Sequence, residues 1–282
     1  MLSDCLAARR QGGQSLPKLV FASNGSVIAR YHRESGFREL MDQADIVDAD
    51  GMPLVLFSRI LQHPLPERIA TTDFIFDACE MAQEHGLRFY FLGGKRDDNM
   101  RASAFFRDRY PGLMLVGSRD GYFKRSDEEE ICAEIRERKV DVLWLGLGSP
   151  LQEDFAVRNR SRLAGVAWIR TCGGMFDHYS GRKRRAPAWM QSAGLEWLYR
   201  AAQEPRRLGP RYIKTNLPAL YHLMTKTGQA GEIHPAGVQA RGIQAGGMPP
   251  GAIQVSAIKL GDAAAVRSLE AGAVQTRESA TL

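Results

Sequence analysis

The sequence predicts a parallel α/β sheet with crossover helices, and three observations carry that expectation. Six short runs rich in β-branched and aromatic residues recur between residues 19 and 174. The segments between several of them carry apolar residues at three- and four-residue spacing, the period of an amphipathic helix. Alternation of these two patterns is the signature of βαβ units, whose strands are buried on both faces and therefore read as nearly unbroken apolar runs.

The runs come in order. LVFAS (19–23) precedes the helical stretch GSVIARYHRESGFRELMDQA, and DIVDA (45–49) precedes TTDFIFDACEMAQEHG, which opens on Thr71, Thr72 and Asp73. RFYFLGG (88–94) and LMLVGS (113–118) follow, then the helix SDEEEICAEIRERK with an acidic first turn. VDVLWLGLG (140–148) leads into SPLQEDFAVRNRSRL, and VAWIRTCGG (166–174) closes the series. These elements assign residues 1–187 to one α/β domain. After Pro187, Trp, Leu and Tyr mix with arginines and no strand pattern remains, so residues 188–228 are expected to form a helical appendage. Residues 229–282 are rich in Gly, Ala and Gln and lack aromatic residues, the composition of a disordered tail.

With 282 residues and 44% apolar composition, the chain can bury one large core or two modest ones. Cys5, Cys79, Cys132 and Cys172 form no Cys-x-x-Cys pair, which argues against a disulfide framework or a structural zinc site and suits a reducing cytoplasm. The N-terminus is too polar for a secretion signal, and no apolar run approaches the roughly 20 residues that span a bilayer. Of the net charge of +6, the segment from Ser180 to Lys214 supplies more than the whole, with nine basic residues against Glu196 and Glu204. Such a segment suits phosphate, an anionic membrane surface or nucleic acid.

In open parallel sheets, ligands bind beyond the carboxyl ends of the strands, where Asp50, Gly93, Gly148 and Gly173 fall. The stretch VDADGMPLV (47–55) places Asp48 and Asp50 two positions apart. In an extended segment both would leave one face, so the spacing admits a shared divalent ion as well as a single acting base or a solvated strand end. LGLGSPLQEDF (145–155) ends a strand in glycines and puts Pro150 at a first helical position, an arrangement that suits phosphate at a helix N-terminus but lacks Gly-x-Gly-x-x-Gly spacing. FLGGK (91–95) is a weaker instance. His178, in FDHYSG, is a second candidate base whose plainer reading is a hydrogen-bonding loop residue.

A set of ordered motifs then resembles one family. Asp50-Gly51, Glu67-Arg68 followed by Asp73, Gly121-Tyr122-Phe123, Gly148-x-Pro150-x-Gln152-Glu153, Gly173-Gly174-x-Phe176-Asp177, Arg185-Ala186-Pro187, and Gly194-Leu195-Glu196-Trp197 with Tyr199-Arg200 and Glu204-Pro205 resemble the WecG/TagA/CpsF glycosyltransferases over about residues 16–226. The resemblance implies a Rossmann-like sheet with a membrane-binding helical appendage. It also implies inverting, metal-independent transfer of a sugar of the N-acetylmannosamine, uronate or glucose type. The sugar would pass from a UDP-sugar donor to a polyprenyl-diphosphate-linked saccharide acceptor, at the inner face of the cytoplasmic membrane during surface-polysaccharide assembly.

Residue by residue, the resemblance makes Asp50 the base and assigns Asn24, Arg68, Asp73, Tyr122, Gln152 and Asp177 to the donor pocket. Arg200, Arg206 and Arg207 are assigned to the acceptor diphosphate and the anionic membrane surface. No cofactor, metal or nucleic acid is implied, and a homo-oligomer is compatible with it. Ala22 stands where members carry threonine, and Thr71-Thr72 where they carry a glycine, so donor contacts there are expected to differ. The chain also begins after the point where members show a first strand, so a shortened N-terminus is expected. Two rivals remain at this stage: a nucleotide-dependent oxidoreductase, suggested by the glycine turns, and a nucleic-acid-binding module, suggested by the basic segment.

Overall fold

The computed structural model describes residues 1–59 and 65–181, and in the C-terminal region residues 186–187, 189–190, 195–203, 205–206, 214–215, 218–219, 221–222 and 225. The expected tail, 229–282, lies outside the described residues, as do Arg207 and the basic run 182–185.

All six predicted runs form strands: β1 (Lys18–Ser23), β2 (Ile46–Ala49), β3 (Arg88–Gly93), β4 (Met114–Arg119), β5 (Val142–Gly146) and β6 (Trp168–Thr171). They make one parallel sheet in the order β2-β1-β6-β5-β3-β4. The period of two along each strand divides the core. Val20, Phe89, Phe91, Val142, Trp144 and Trp168 face one layer of helices, α1 (Leu2–Arg10), α5 (Thr71–His85), α6 (Arg96–Arg109) and α9 (Met175–Tyr179). Leu19, Phe21, Tyr90, Leu92, Leu143, Leu145 and Ile169 face the other, α2 (Gly25–Arg33), α3 (Ser35–Met41), α7 (Glu128–Glu137) and α8 (Leu151–Arg158). A shorter helix, α4 (Met52–Ser58), covers the outer end of the sheet with Leu54 and Val55 packed on Ile28 and Ala29. In the C-terminal region α10 spans Glu196–Gln203, and Trp197 and Leu198 on it are exposed. Among the described residues no helix is long and apolar enough to cross a membrane.

Four of these helices, α1, α4, α6 and α9, are absent from the sequence-based expectation, and two of them show why. In α6 the buried face carries Asp98, Asn99 and Ser103 beside Ala102 and Phe106, so no apolar stripe marks it. Asn99 Nδ2 donates to Gly93 O (2.8 Å) and Arg119 O (3.0 Å), tying the ends of β3 and β4 together. Helix α1 is held largely by polar anchors: Arg9 grips Asp141 through two nitrogens (2.7 and 2.6 Å), and Trp168 Nε1 donates to Asp4 (2.9 Å).

The topology positions a crevice. Adjacent strands β1 and β6 send their following helices, α2 and α9, to opposite faces of the sheet, the arrangement at whose carboxyl ends ligands bind in open α/β sheets.

All four cysteines are buried and free. Burial pushes the Cys5 thiol up to about 12 and Cys132 up to about 11, and raises Cys79 and Cys172 as well. Since the thiolate is the reactive form, alkylation of the native chain near pH 8 should be slow at all four and should accelerate only on unfolding. Mass spectrometry after a timed pulse of iodoacetamide checks this; rapid native labelling of any one thiol would contradict the packing.

Candidate active site

At the end of β2 the two aspartates part company. Asp48 lies within the strand, opposite Ala22 of β1, and its carboxylate pairs with Arg170 of β6, which lies opposite Val20. The ion pair therefore crosses β1 on the α5 side of the sheet, and both partners are almost completely enclosed. Arg170 has Nε and Nη2 without hydrogen-bond acceptors, and its guanidinium lies 4.2 Å from the Phe74 ring centroid and 5.8 Å from that of Trp144. Those aromatic faces supply attraction where acceptors are absent.

Asp50 lies beyond the strand. Its backbone N–H donates to Ser23 O (2.8 Å), and its Oδ1 accepts the N–H of Thr71 (3.3 Å), the first residue of α5. A helix N-terminus favours a carboxylate in that place. Gly51 follows because its position is tight: a Cβ there would stand 2.9 Å from Leu54 Cδ1 and 3.6 Å from Asn24. β2 ends at Ala49, so Asp50 stands outside the extended segment on which the same-face expectation for Asp48 and Asp50 rests. Among the described residues no three His, Cys, Asp or Glu side chains form a metal-ligand group.

The remaining predicted residues fall into three sets. Arg68 and Asp73 join Asp50 around the start of α5: Arg68 Nη2 donates to Asp73 Oδ2 (3.3 Å), and Nη1 to Glu196 Oε2 (3.0 Å). The Arg68 and Glu196 side chains are each only 14% exposed, so this contact latches α10 onto the sheet domain. Asn24 caps α2, its Oδ1 accepting from Ser26 N (3.0 Å) and Val27 N (3.3 Å). Gln152 and Asp177 flank the turn after β6. Gln152 Oε1 accepts the Gly173 N–H (3.1 Å), while Gly174 packs near Asp177. A Cβ on Gly146, at the end of β5, would lie 2.7 Å from the Phe176 ring and 2.9 Å from Gly173 O, so only glycine lets these loops close together. Pro150 is the residue before α8 rather than the first within it.

Tyr122 stands apart, beyond β5 and β3 on the loop after β4, with its side chain projecting into solvent and 76% of the residue exposed. His178 lies in α9, edge-on to the Tyr179 ring. Arg206 is exposed; Arg200 falls in α10, and Arg207 lies outside the described residues. A cleft of about 190 Å³ at the start of α6, lined by Lys95, Asp97, Asp98, Arg101 and Gly181, contains none of the predicted residues.

Sequence reasoning passed over Arg170, Glu153 and Glu196 as site residues. Arg170 had a signal, a single arginine within an otherwise apolar strand, which in a sheet buried on both faces demands a partner. Glu196 stood inside a quoted motif without a task, and nothing in the sequence pairs it with Arg68, 128 positions away.

The parallel sheet, the helices on both faces and the polar crevice at its carboxyl edge define a Rossmann-like α/β protein. The model of the glycosyl transferase WecG/TagA/CpsF family matches residues 2–231, and the chain belongs to that family of glycosyltransferases. It is 30% identical over 191 residues to the N-acetylglucosaminyldiphosphoundecaprenol N-acetyl-beta-D-mannosaminyltransferase of Bacillus subtilis (strain 168), covering 65% of this chain and 73% of the relative. The protein of that name from Bacillus spizizenii (strain ATCC 23059 / NRRL B-14472 / W23) is 30% identical over 193 residues, covering 66% and 74%.

The division of labour between the two aspartates has a measurable consequence. Asp48→Asn leaves Arg170 charged and unpaired in the core and should cost about 3–5 kcal/mol, whereas Asp50→Asn at the strand end should change stability by less than about 1 kcal/mol. Urea denaturation of the two variants checks this; equal stability would remove the structural assignment of Asp48.

Proposed function

We propose that the chain is an inverting, metal-independent transferase that moves a hexose of the N-acetylmannosamine type from a UDP-sugar to a polyprenyl-diphosphate-linked saccharide, in surface-polysaccharide assembly. The observation that carries this reading is the place of Asp50 just beyond β2, its carboxylate at the N-terminus of α5, while Asp48 is committed to Arg170 within the sheet. In this scheme Asp50 accepts the proton of the acceptor hydroxyl as that oxygen attacks the anomeric carbon. The bond from that carbon to the donor phosphate breaks on the opposite side, and UDP departs with the electron pair. A single carboxylate is enough for this step, and Asp48, the other carboxylate of the stretch, is held by Arg170.

Charge on the departing diphosphate is met by helix N-terminal amides at the strand ends and by arginine. Arg68 already carries two carboxylate partners, Asp73 and Glu196. Phosphate binding there exchanges one partner for a phosphate oxygen and so couples donor binding to the seating of α10. Asn24 supports the pocket from its capping position, and Asp73, Gln152 and Asp177 supply polar groups around it, with Tyr122 at the far rim. The exposed Trp197 and Leu198, together with Arg206, suit a segment lying at an anionic membrane surface; Arg200 and Arg207 are the further arginines this reading assigns to the acceptor diphosphate. This arrangement fits a peripheral enzyme at the inner membrane face.

Release of UDP in the presence of UDP-sugars and a lipid-diphosphate-linked N-acetylglucosamine tests the reading. Asp50→Asn should lower turnover by roughly 10²- to 10⁴-fold while UDP binding survives, and excess chelator should leave wild-type turnover unchanged. Retention of more than about a tenth of the turnover in Asp50→Asn, with loss in His178→Ala, would transfer the role of base to His178. Activity lost to chelator and restored by manganese would contradict metal independence.

A further inference from the structure

Behind the strand ends lies a buried carboxyl that the proposed reaction does not use. Glu153, in the first turn of α8, is fully enclosed at 0% exposure. Burial pushes its carboxyl above the ordinary range, against the opposing pull of the Gln152 amide, its own backbone amide, the Ser149 hydroxyl and the charge of Arg30. Its Oε1 accepts from Gln152 Nε2 (2.9 Å), while Oε1 of that amide accepts the Gly173 N–H (3.1 Å). The oxygen and nitrogen of a side-chain amide have nearly the same shape, so only such partners decide which way it faces.

The chain of contacts continues on both sides. Thr171 Oγ1 accepts the Ala22 N–H (3.0 Å), and Ser23 O accepts the Asp50 N–H (2.8 Å). Beyond Glu153, Arg30 of α2 donates to Ser149 Oγ (3.3 Å). These contacts link the segments after β1, β2, β5 and β6, and the Glu153–Gln152 contact orients the amide whose bond to Gly173 joins the β5 and β6 loops.

We propose that Glu153 is a positioning residue of the donor site, acting through the Gln152 amide to hold the Gly173–Gly174 turn against the strands that carry Asp50. The proposal rests on the transfer reading above. A merely structural role would be read in Tm alone, whereas a positioning role is read in UDP affinity and KM, so the two make different predictions.

The test measures UDP affinity by calorimetry, KM for the UDP-sugar, kcat and Tm in five forms: wild type, Glu153→Leu, Glu153→Gln, Gln152→Ala, and Gln152→Ala combined with Glu153→Leu. Glu153→Leu should weaken UDP binding and raise KM about tenfold, with a smaller change in kcat, and lower Tm only modestly because the Gln152 amide loses its acceptor. Glu153→Gln, whose amide oxygen still accepts from Gln152, should recover both to within about twofold. In the Gln152→Ala background the leucine should add no further loss. Unchanged affinity and KM in Glu153→Leu, or an equal loss with Gln152 already removed, would overturn the proposal. Should Glu153→Leu not fold, Glu153→Asp, which withdraws the carboxyl by one methylene, carries the same expectation and the same contradicting result. A wild-type chain that binds no UDP would overturn the donor reading itself, an outcome distinct from a normal wild type with indifferent variants.

Discussion

The buried pair between Asp48 and Arg170 is the constraint on which the site depends. It crosses β1 to join β2 to β6, the strands whose ends flank the crevice, and Ala22 and Val20 lie opposite its two ends in register. Desolvating two charges is expensive, and the attraction between them offsets that cost without a large surplus, so such a pair is a weak stabiliser. Its consequence is positional. A one-residue slip of β2 against β1 would turn Asp48 to the opposite face and leave Arg170 buried with no anion. The same commitment removes Asp48 from the crevice and leaves Asp50 as the carboxylate of that stretch at the strand ends.

Around that fixed pair the loops are tied by single hydrogen bonds as well as by apolar packing such as that of Leu54 and Phe176. Asp50 leans on Thr71, Arg68 reaches Asp73 and Glu196, and Gln152 joins the loops after β5 and β6. Polar contacts of this kind are directional, so they hold carboxylates and amides at defined angles while leaving room for a ligand. The Arg68–Glu196 contact extends the arrangement to α10 and gives the basic C-terminal region a mechanical link to the donor end of the sheet.

Much of this was legible in the sequence. The strands were, because a sheet covered on both faces needs unbroken apolar runs such as FYFLG and VLWLG. The crevice was, because glycines and Asp50 fall at strand ends. Helix α6 was not, since its buried face is Asp98, Asn99 and Ser103, and a polar face that is satisfied by strand-end carbonyls looks like solvent-facing surface. The relation between Asp48 and Asp50 was not either: spacing gives the face of a side chain only while the strand continues, and β2 ends between them. Asn24 shows a third limit, because one side chain caps a helix by its oxygen, and its sequence position alone does not separate that task from contact with a ligand.

Backbone hydrogen exchange with and without UDP tests most directly the claim that the nucleotide lies at the β1, β2 and β6 strand ends. Binding should slow exchange at residues 23–27, 50–54, 70–73, 148–153 and 172–176, and leave the opposite end of the sheet, at Arg88, Asp141 and Ala167, unchanged. Protection confined to residues 95–101 and 181, around the cleft at the start of α6, would place the nucleotide elsewhere and contradict the account.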